Sequence, residues 1–308
     1  MNKIQIRHSF YLLLTASIWG LAFVAQSVAA NYIRPFTFNG IRCIIGGFVL
    51  IPAVILLGRK PKEQAEASTL RTDPRPDSGK KDTLLGGFLC GLCLLAGSVL
   101  QQFGIEQSTV GKAGFITAFY IVLVPLTGLL FGRKVRALIW LSVILALGGL
   151  FLLCIRIEEG FSFERGDLLL LLGAFAFTAH ILCIDHFVQK VNGVLLSMEQ
   201  FFVCGFLSLA VMVLVEKPEM EQILQAGIPL LYAGVMSCGV AYTLQVVGQN
   251  DMNPAIASLI LSLESVVSAL SGWLILHERL SIKEIAGCLL MFIAVALTCL
   301  PAPDRKKA

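Results

Sequence analysis

Apolar and polar positions alternate along this chain in long blocks rather than with a short period. Ten apolar runs stand out: 9–30, 35–57, 83–104, 109–131, 136–155, 167–188, 194–215, 227–248, 253–276 and 282–300. Each is near the ~20 residues that a helix needs to cross a bilayer. The pattern predicts an all-α integral membrane protein with ten transmembrane helices. Polar breaks between the runs are short, the longest being 58–82. The first run has some marks of a secretory signal: Lys3 and Arg7 precede it, and Ser27-Val28-Ala29-Ala30 resembles a cleavage site. It is longer than the ~7–15 residues of a signal core and has a counterpart later in the chain, so it is read as a retained helix.

The runs fall into two sets of five. Adding 158 to the first two runs lands on the sixth and seventh, so that Ala16 meets Ala174, Gly47 meets Gly205 and Arg42 meets Gln200. Adding 145 to the third to fifth runs lands on the eighth to tenth: Ala96 meets Ala241, Leu129 meets Leu274 and Leu145 meets Leu290. The change of offset falls in one loop. Two five-helix repeats, 9–155 and 167–300, are predicted, with 58–82 a cytoplasmic basic loop inside the first. An odd number of crossings per repeat makes the second enter the membrane from the opposite side. Inverted repeats of this kind build many secondary transporters, with the substrate site near the midplane between them.

Composition agrees with the block pattern. The 308 residues are 56% hydrophobic and 14% charged, with mean hydropathy +0.81, against about 25% charged in soluble domains. The loops leave no room for a soluble catalytic or nucleic-acid-binding domain. With the N-terminus inside, 16 of the 24 Lys and Arg fall in cytoplasmic segments and 7 in outer ones, Arg42 lying within a run. The positive-inside bias puts both termini in the cytoplasm, and the net charge of +4 is a topology signal. All nine cysteines lie in apolar runs and read as small hydrophobes. Cys90 and Cys93 make a C-x-x-C with no His or carboxylate beside it. His180, Cys183 and His186 share a run, but one helix face supplies too few ligands for a metal site. Neither a metal nor a cofactor is expected.

Polar groups inside the runs carry the functional reading. Glu264 sits near the middle of the ninth, among Ser258, Ser262, Ser265, Ser268 and Ser271. A carboxylate at bilayer depth is costly and usually marks a pathway; the plainer alternative is a polar staple between helices. Asn253 and Pro254 suit the N-cap and first turn of that helix. Arg42 and Glu199 lie at mirrored depths in the second and seventh runs, with snorkelling to the headgroups as the plainer alternative. Lys112 belongs near the outer mouth. Trp19, Asn39, Ser98, Gln101, Tyr120, His180, Tyr242 and Gln245 complete the candidate wall of a substrate cavity, since aromatic faces with a few polar tips suit small organic ligands. Glu264 and Glu199 are the candidate proton carriers. No H-E-x-x-H or G-x-S-x-G is present, which counts against an intramembrane hydrolase or lipid-modifying enzyme.

At this point the chain resembles the EamA-like group of the drug/metabolite transporter superfamily over about residues 10–301. The carriers of the resemblance are Trp19-Gly20; Pro35 and Arg42; Ala113-Gly114-Phe115-Ile116 with Tyr120 and Pro125; Gly166-Asp167 with Ala174; and Glu264 with His277-Glu278-Arg279-Leu280-Ser281. Two departures are visible. Glu264-Ser265 stands where the family has Glu-Pro, and His277-Glu278 where it has Gly-Glu. Without the proline the ninth run is expected to be a more regular helix. The resemblance implies export or exchange of small metabolites, often amino acids or their relatives, in a bacterial inner membrane. The expected partners are a small-molecule substrate and the lipid bilayer, with no nucleic acid, and the protein is a monomer or homodimer. Uptake of a phosphorylated or nucleotide-linked solute, with Arg42 and Lys112 as anion clamps, is the alternative within transport. The mixed signs of Arg42 with Glu199 and Lys112 with Glu264 count against it.

Overall fold

The computed structural model describes residues 3–58, 80–108, 110–132, 135–154, 164–250, 252–275 and 281–298. The predicted loop 58–82, apart from its ends, and the stretch His277–Leu280 lie outside the described residues. Each of the ten apolar runs is helical over its described part. The first five give α1 (Lys3–Ala29), α2 (Pro35–Gly58), α3 (Lys80–Ile105), the pair α4 (Val110–Thr117) and α5 (Tyr120–Leu130), and α6 (Ala137–Cys154). The others give α7 (Arg165–Phe187), α8 (Gly193–Val211), α9 (Met220–Gln225), α10 (Gly227–Leu231), α11 (Thr243–Gln249), the pair α12 (Pro254–Leu261) and α13 (Glu264–Ile275), and α14 (Ile282–Thr298). Among the described residues eight helical stretches are long and apolar enough to cross a membrane, while Ala137–Leu152 is a shorter apolar helix.

Local chemistry fixes the helix ends as the sequence suggests. Asn253 caps α12 by accepting from Ala255 N–H at 2.9 Å, with Pro254 at the first helical position. Asn192 caps α8, accepting from Val194 and Leu195 at 2.9 and 3.1 Å. Glu164 and Asp167 close a capping box on α7, and Asp167 also accepts from the Ser108 hydroxyl at 3.2 Å. The start of α2 is capped from another part of the chain. The Glu216 carboxylate accepts from Phe36 N–H at 2.9 Å, Thr37 N–H at 2.6 Å and the Thr37 hydroxyl at 2.7 Å. A carboxylate suits the orphan amides and positive end of a helix N-terminus.

Three interruptions shape the interior. The run holding α4 and α5 turns at Ala118-Phe119, and that holding α12 and α13 turns at Ser262-Leu263. The second turn corrects the expectation of a regular ninth helix. No proline is needed: Leu263 N–H bonds the Ile260 carbonyl at 3.2 Å and Ser265 N–H bonds Ser262 at 3.2 Å, three residues back. The Ser258 and Ser262 hydroxyls donate to the carbonyls of Ala255 and Leu259 at 3.0 and 2.8 Å. Such back-bonding competes with the ladder and bends helices. The third interruption is π-helix over Tyr232–Tyr242, between α10 and α11. The Thr15 hydroxyl donates to the Ala241 carbonyl there at 3.0 Å.

Packing contacts recur at fixed offsets. A Cβ on Gly47 would meet the Phe202 ring at 2.9 Å, and one on Gly205 would meet Ile44 at 2.8 Å. Both glycines and both partners are 158 positions apart. Gly104 lies against Leu170 and the Gly166 carbonyl, as Gly248 does against Leu12 and the His8 carbonyl. Gly91 lies against Val203 and the Gln200 carbonyl, as Gly234 does against Ile45 and the Arg42 carbonyl. These partners again differ by 158, but the glycines differ by 144 and 143. The offset of 145 read from the sequence is therefore two too many at Gly234 and one too many at Gly248. The step from 143 to 144 falls between Gly234 and Gly248, where the π-helical stretch takes up one extra residue.

Candidate functional site

A buried cavity opens where the interruptions meet. Its wall is drawn from α1, α2, α3, the α4–α5 and α12–α13 pairs, α7, and the π-helical stretch with α11. Its volume is about 40 Å³, room for roughly three water molecules at about 10–15 Å³ each. Trp19, Ala22 and Phe23 of α1 face it, and so do Phe177, His180 and Ile181 of α7. These triplets are again 158 apart, position by position. Gln101 and Gln245, Thr117 and Leu261, and Tyr120 and Glu264 also line it, each pair 144 apart.

One wall is cationic. Arg42 is 3% exposed, and its Nε and Nη2 donate to Asn39 Oδ1 at 3.1 and 3.0 Å. Asn39 is held in turn, its amide donating to Ser208 Oγ at 2.9 Å and Cys204 Sγ at 3.2 Å. The guanidinium carbon lies 5.2 Å from the Phe38 ring centroid. These described partners include no carboxylate. Bonding Nε and Nη2 on one side leaves the other N–H groups of the fork for the cavity, a geometry that matches a carboxylate.

A carboxyl group lines another part of the cavity. Glu264, 5% exposed, is the first residue of α13, and it accepts from the Tyr120 hydroxyl at 3.0 Å. Tyr120 is the first residue of α5. Gly20 makes the approach of α1 possible: a Cβ there would sit 2.7 Å from the Glu264 carbonyl oxygen and 2.5 Å from Val267 Cβ. Elsewhere in the lining, Trp19 packs on Tyr242 with ring centroids 4.5 Å apart. His180 pairs with Gln200 Oε1 at 2.9 Å, and its ring lies edge-on to Tyr242 at 6.0 Å. Gln101 donates to Thr117 at 3.5 Å.

Of the residues singled out from sequence, Trp19, Arg42, Gln101, Tyr120, His180, Tyr242, Gln245 and Glu264 are brought together around this cavity. Asn39 stands behind Arg42, and Ser98 is buried outside the lining. Glu199 is also outside it, half-buried against Gly87, with Oε2 unbonded. Lys112 belongs to α4, but its side chain is not among those described. Gln26, Thr117, Phe177 and Ser237 line the cavity without having been picked out. The offset of 158 from Trp19 pointed to Phe177, whereas Gln26 carried no signal beyond its depth. The seven cysteines whose side chains are described are free thiols. Among the described residues no cluster of His, Cys, Asp and Glu is placed to hold a metal ion.

Comparison with known proteins decides the family. The EamA-like transporter family matches residues 7–155 and again 164–300. The chain belongs to the EamA-like transporter family. It is 30% identical over 291 residues to an uncharacterized transporter of Archaeoglobus fulgidus, covering 94% of this chain and 84% of that one. It is 23% identical over 301 residues to the uncharacterized transporter YoaV of Bacillus subtilis, covering 94% and 95%. A solved crystal structure superposes with a TM-score of 0.74 at 16% identity, over 95% of this chain and 96% of that one. That likeness is one of fold. Family membership and the long apolar helices make the chain a multi-pass membrane transporter.

Proposed function

We propose that the protein exports or exchanges a small zwitterionic metabolite, an amino acid or a near relative, by alternating access. The observation that carries this reading is the pair of buried, opposite charges, Arg42 and Glu264, on one cavity wall each. Their described partners are neutral: Asn39 for the guanidinium, Tyr120 for the carboxylate. Ions taken out of water need partners of opposite sign, and a solute with a carboxylate at one end and an ammonium at the other supplies both. A phosphorylated solute would satisfy Arg42 but meet repulsion from Glu264.

In this proposal ten helices form two inverted five-helix repeats, 9–155 and 167–300, with both termini in the cytoplasm of a bacterial cell. Support comes from the reciprocal glycine contacts and the matched lining triplets. At about 40 Å³ the cavity is too small for an amino acid, so the walls must move apart to admit one. The turns at Ala118-Phe119 and Ser262-Leu263 are the places to bend. Glu264 is the proposed coupling group: proton and substrate occupy it in different states, and each biases the equilibrium between states through its differential affinity.

Counterflow tests this. Purified protein in liposomes preloaded with a metabolite mixture is diluted into the same mixture carrying isotope labels, and contents are read by mass spectrometry. Intact labelled amino acids accumulating inside support the reading. Accumulation of phosphorylated or purely cationic solutes alone overturns it, and chemically altered solutes would mean an enzyme.

A further inference from the structure

Three residues of the cavity lining carry neutral polar groups whose hydrogen-bonding capacity is unused. Gln245 is 2% exposed and Gln26 is 5% exposed, yet Oε1 of each is buried without a hydrogen bond, as is Trp19 Nε1. Gln26 and Trp19 are seven residues apart on α1, which spreads these groups over about 10 Å at 1.5 Å per residue. A buried polar group left unbonded is destabilising, and a site with such groups rejects a ligand that leaves them so. The three atoms have complementary demands: two are acceptors and one is a donor.

We infer that Gln26, Gln245 and Trp19 set the specificity of the cavity for a solute carrying a neutral hydroxyl or carboxamide in addition to its charged ends. This rests on the zwitterion reading above. A hydroxyl or carboxamide both donates and accepts, so it bonds whichever of the two carbonyl oxygens or the indole N–H it reaches. An alkyl or thioether side chain answers none of them. An ester or ketone answers only the indole. Neither Gln26 nor Gln245 is charged, so their part is to discriminate among solutes that Arg42 and Glu264 already hold.

Matched pairs of amino acids test the inference. The full-length protein in liposomes is assayed by counterflow with L-glutamine against L-methionine, and with L-serine against L-2-aminobutyrate. The polar member of each pair is expected to exchange at least ~10-fold faster, the scale of one satisfied buried hydrogen bond. Gln26→Met and Gln245→Met are each expected to bring the ratio toward one. Equal exchange within both pairs would overturn the inference and leave the zwitterion reading standing. So would methionine variants that fold and keep the wild-type ratio, since water then satisfies the amides. If neither variant folds, the wild-type ratios alone decide. Exchange of none of the four amino acids would remove the zwitterion reading and this inference with it.

Discussion

The Tyr120 hydroxyl donates to the Glu264 carboxylate at 3.0 Å, and each residue is the first of a helix that restarts after a turn. One hydrogen bond thus ties together the two bends on which, in the proposed cycle, a change of cavity shape depends. Movement of either half-helix alone stretches it. A bond to an ionised group is typically worth about 1.5–3 kcal/mol, enough to set which conformation is populated.

Tyr120→Phe keeps the ring and removes this bond. Substrate exchange in proteoliposomes is expected to fall roughly 10- to 100-fold, the equivalent of that energy, with folded yield nearly unchanged. Wild-type exchange by the variant would show that the bond is not part of the cycle.

Glu264→Gln separates coupling from binding. The amide imitates the protonated acid. Exchange between equal pools is expected to survive, and accumulation driven by an imposed pH gradient to disappear. Loss of both activities would instead make the charge a substrate ligand. Survival of gradient-driven accumulation would remove Glu264 from the mechanism.

Asn39 is expected to act through Arg42. In Asn39→Leu the guanidinium loses the acceptor that holds Nε and Nη2. A weaker apparent affinity for the exchanged amino acid is the expected result, together with a lower melting temperature. Asn39→Asp restores an acceptor and should recover part of both. A leucine variant with unaltered concentration dependence would mean that Arg42 needs no such support.

At Gly20 the neighbours leave no room for a side chain, and overpacking of this kind typically costs about 1–3 kcal/mol. Gly20→Ala is expected to lower thermal stability and transport together. Gly227→Ala, where nothing lies within 4 Å of the added Cβ, is the control and should change neither. Equal melting temperatures for the two variants would contradict the packing of α1 on α13.

Orientation is open to a separate measurement. Single cysteines at Ser78 and Ala308, in a background without native cysteines, are expected to resist an impermeant thiol reagent in intact cells. One at Gly160 is expected to react. Labelling of the Ser78 position from outside would reverse the proposed topology.

The helices and half of the cavity lining were legible because both depend on composition at a given depth. A charge within an apolar run is visible without coordinates, so Arg42 and Glu264 stood out. The turn at Ser262-Leu263 was not legible. Proline announces a break, whereas serines that bond back to carbonyls also occur in unbroken helices. The offset between α3 and the π-helical stretch with α11 was misjudged because alanines such as Ala96 and Ala241 are frequent in membrane helices and match by chance. The close-packed glycines Gly104 and Gly248, 144 apart, are the better markers. Gln26 was missed because its unbonded oxygen is a property of its surroundings.

The contacts of Gly47 with Phe202 and of Gly205 with Ile44 are those of an isologous interface, in which each side presents the same patch to the other. In a homodimer one codon would set both contacts, and any charge placed near the axis would appear twice and repel its copy. Here the two positions are encoded separately, and they have already diverged to phenylalanine and isoleucine. The same independence lets Arg42 stand opposite Gln200 and Glu264 opposite Tyr120. On the proposed inverted-repeat and zwitterion readings, the single chain would keep the mechanical symmetry of a dimer while giving its cavity an electrical direction, so that a bipolar solute is held one way round.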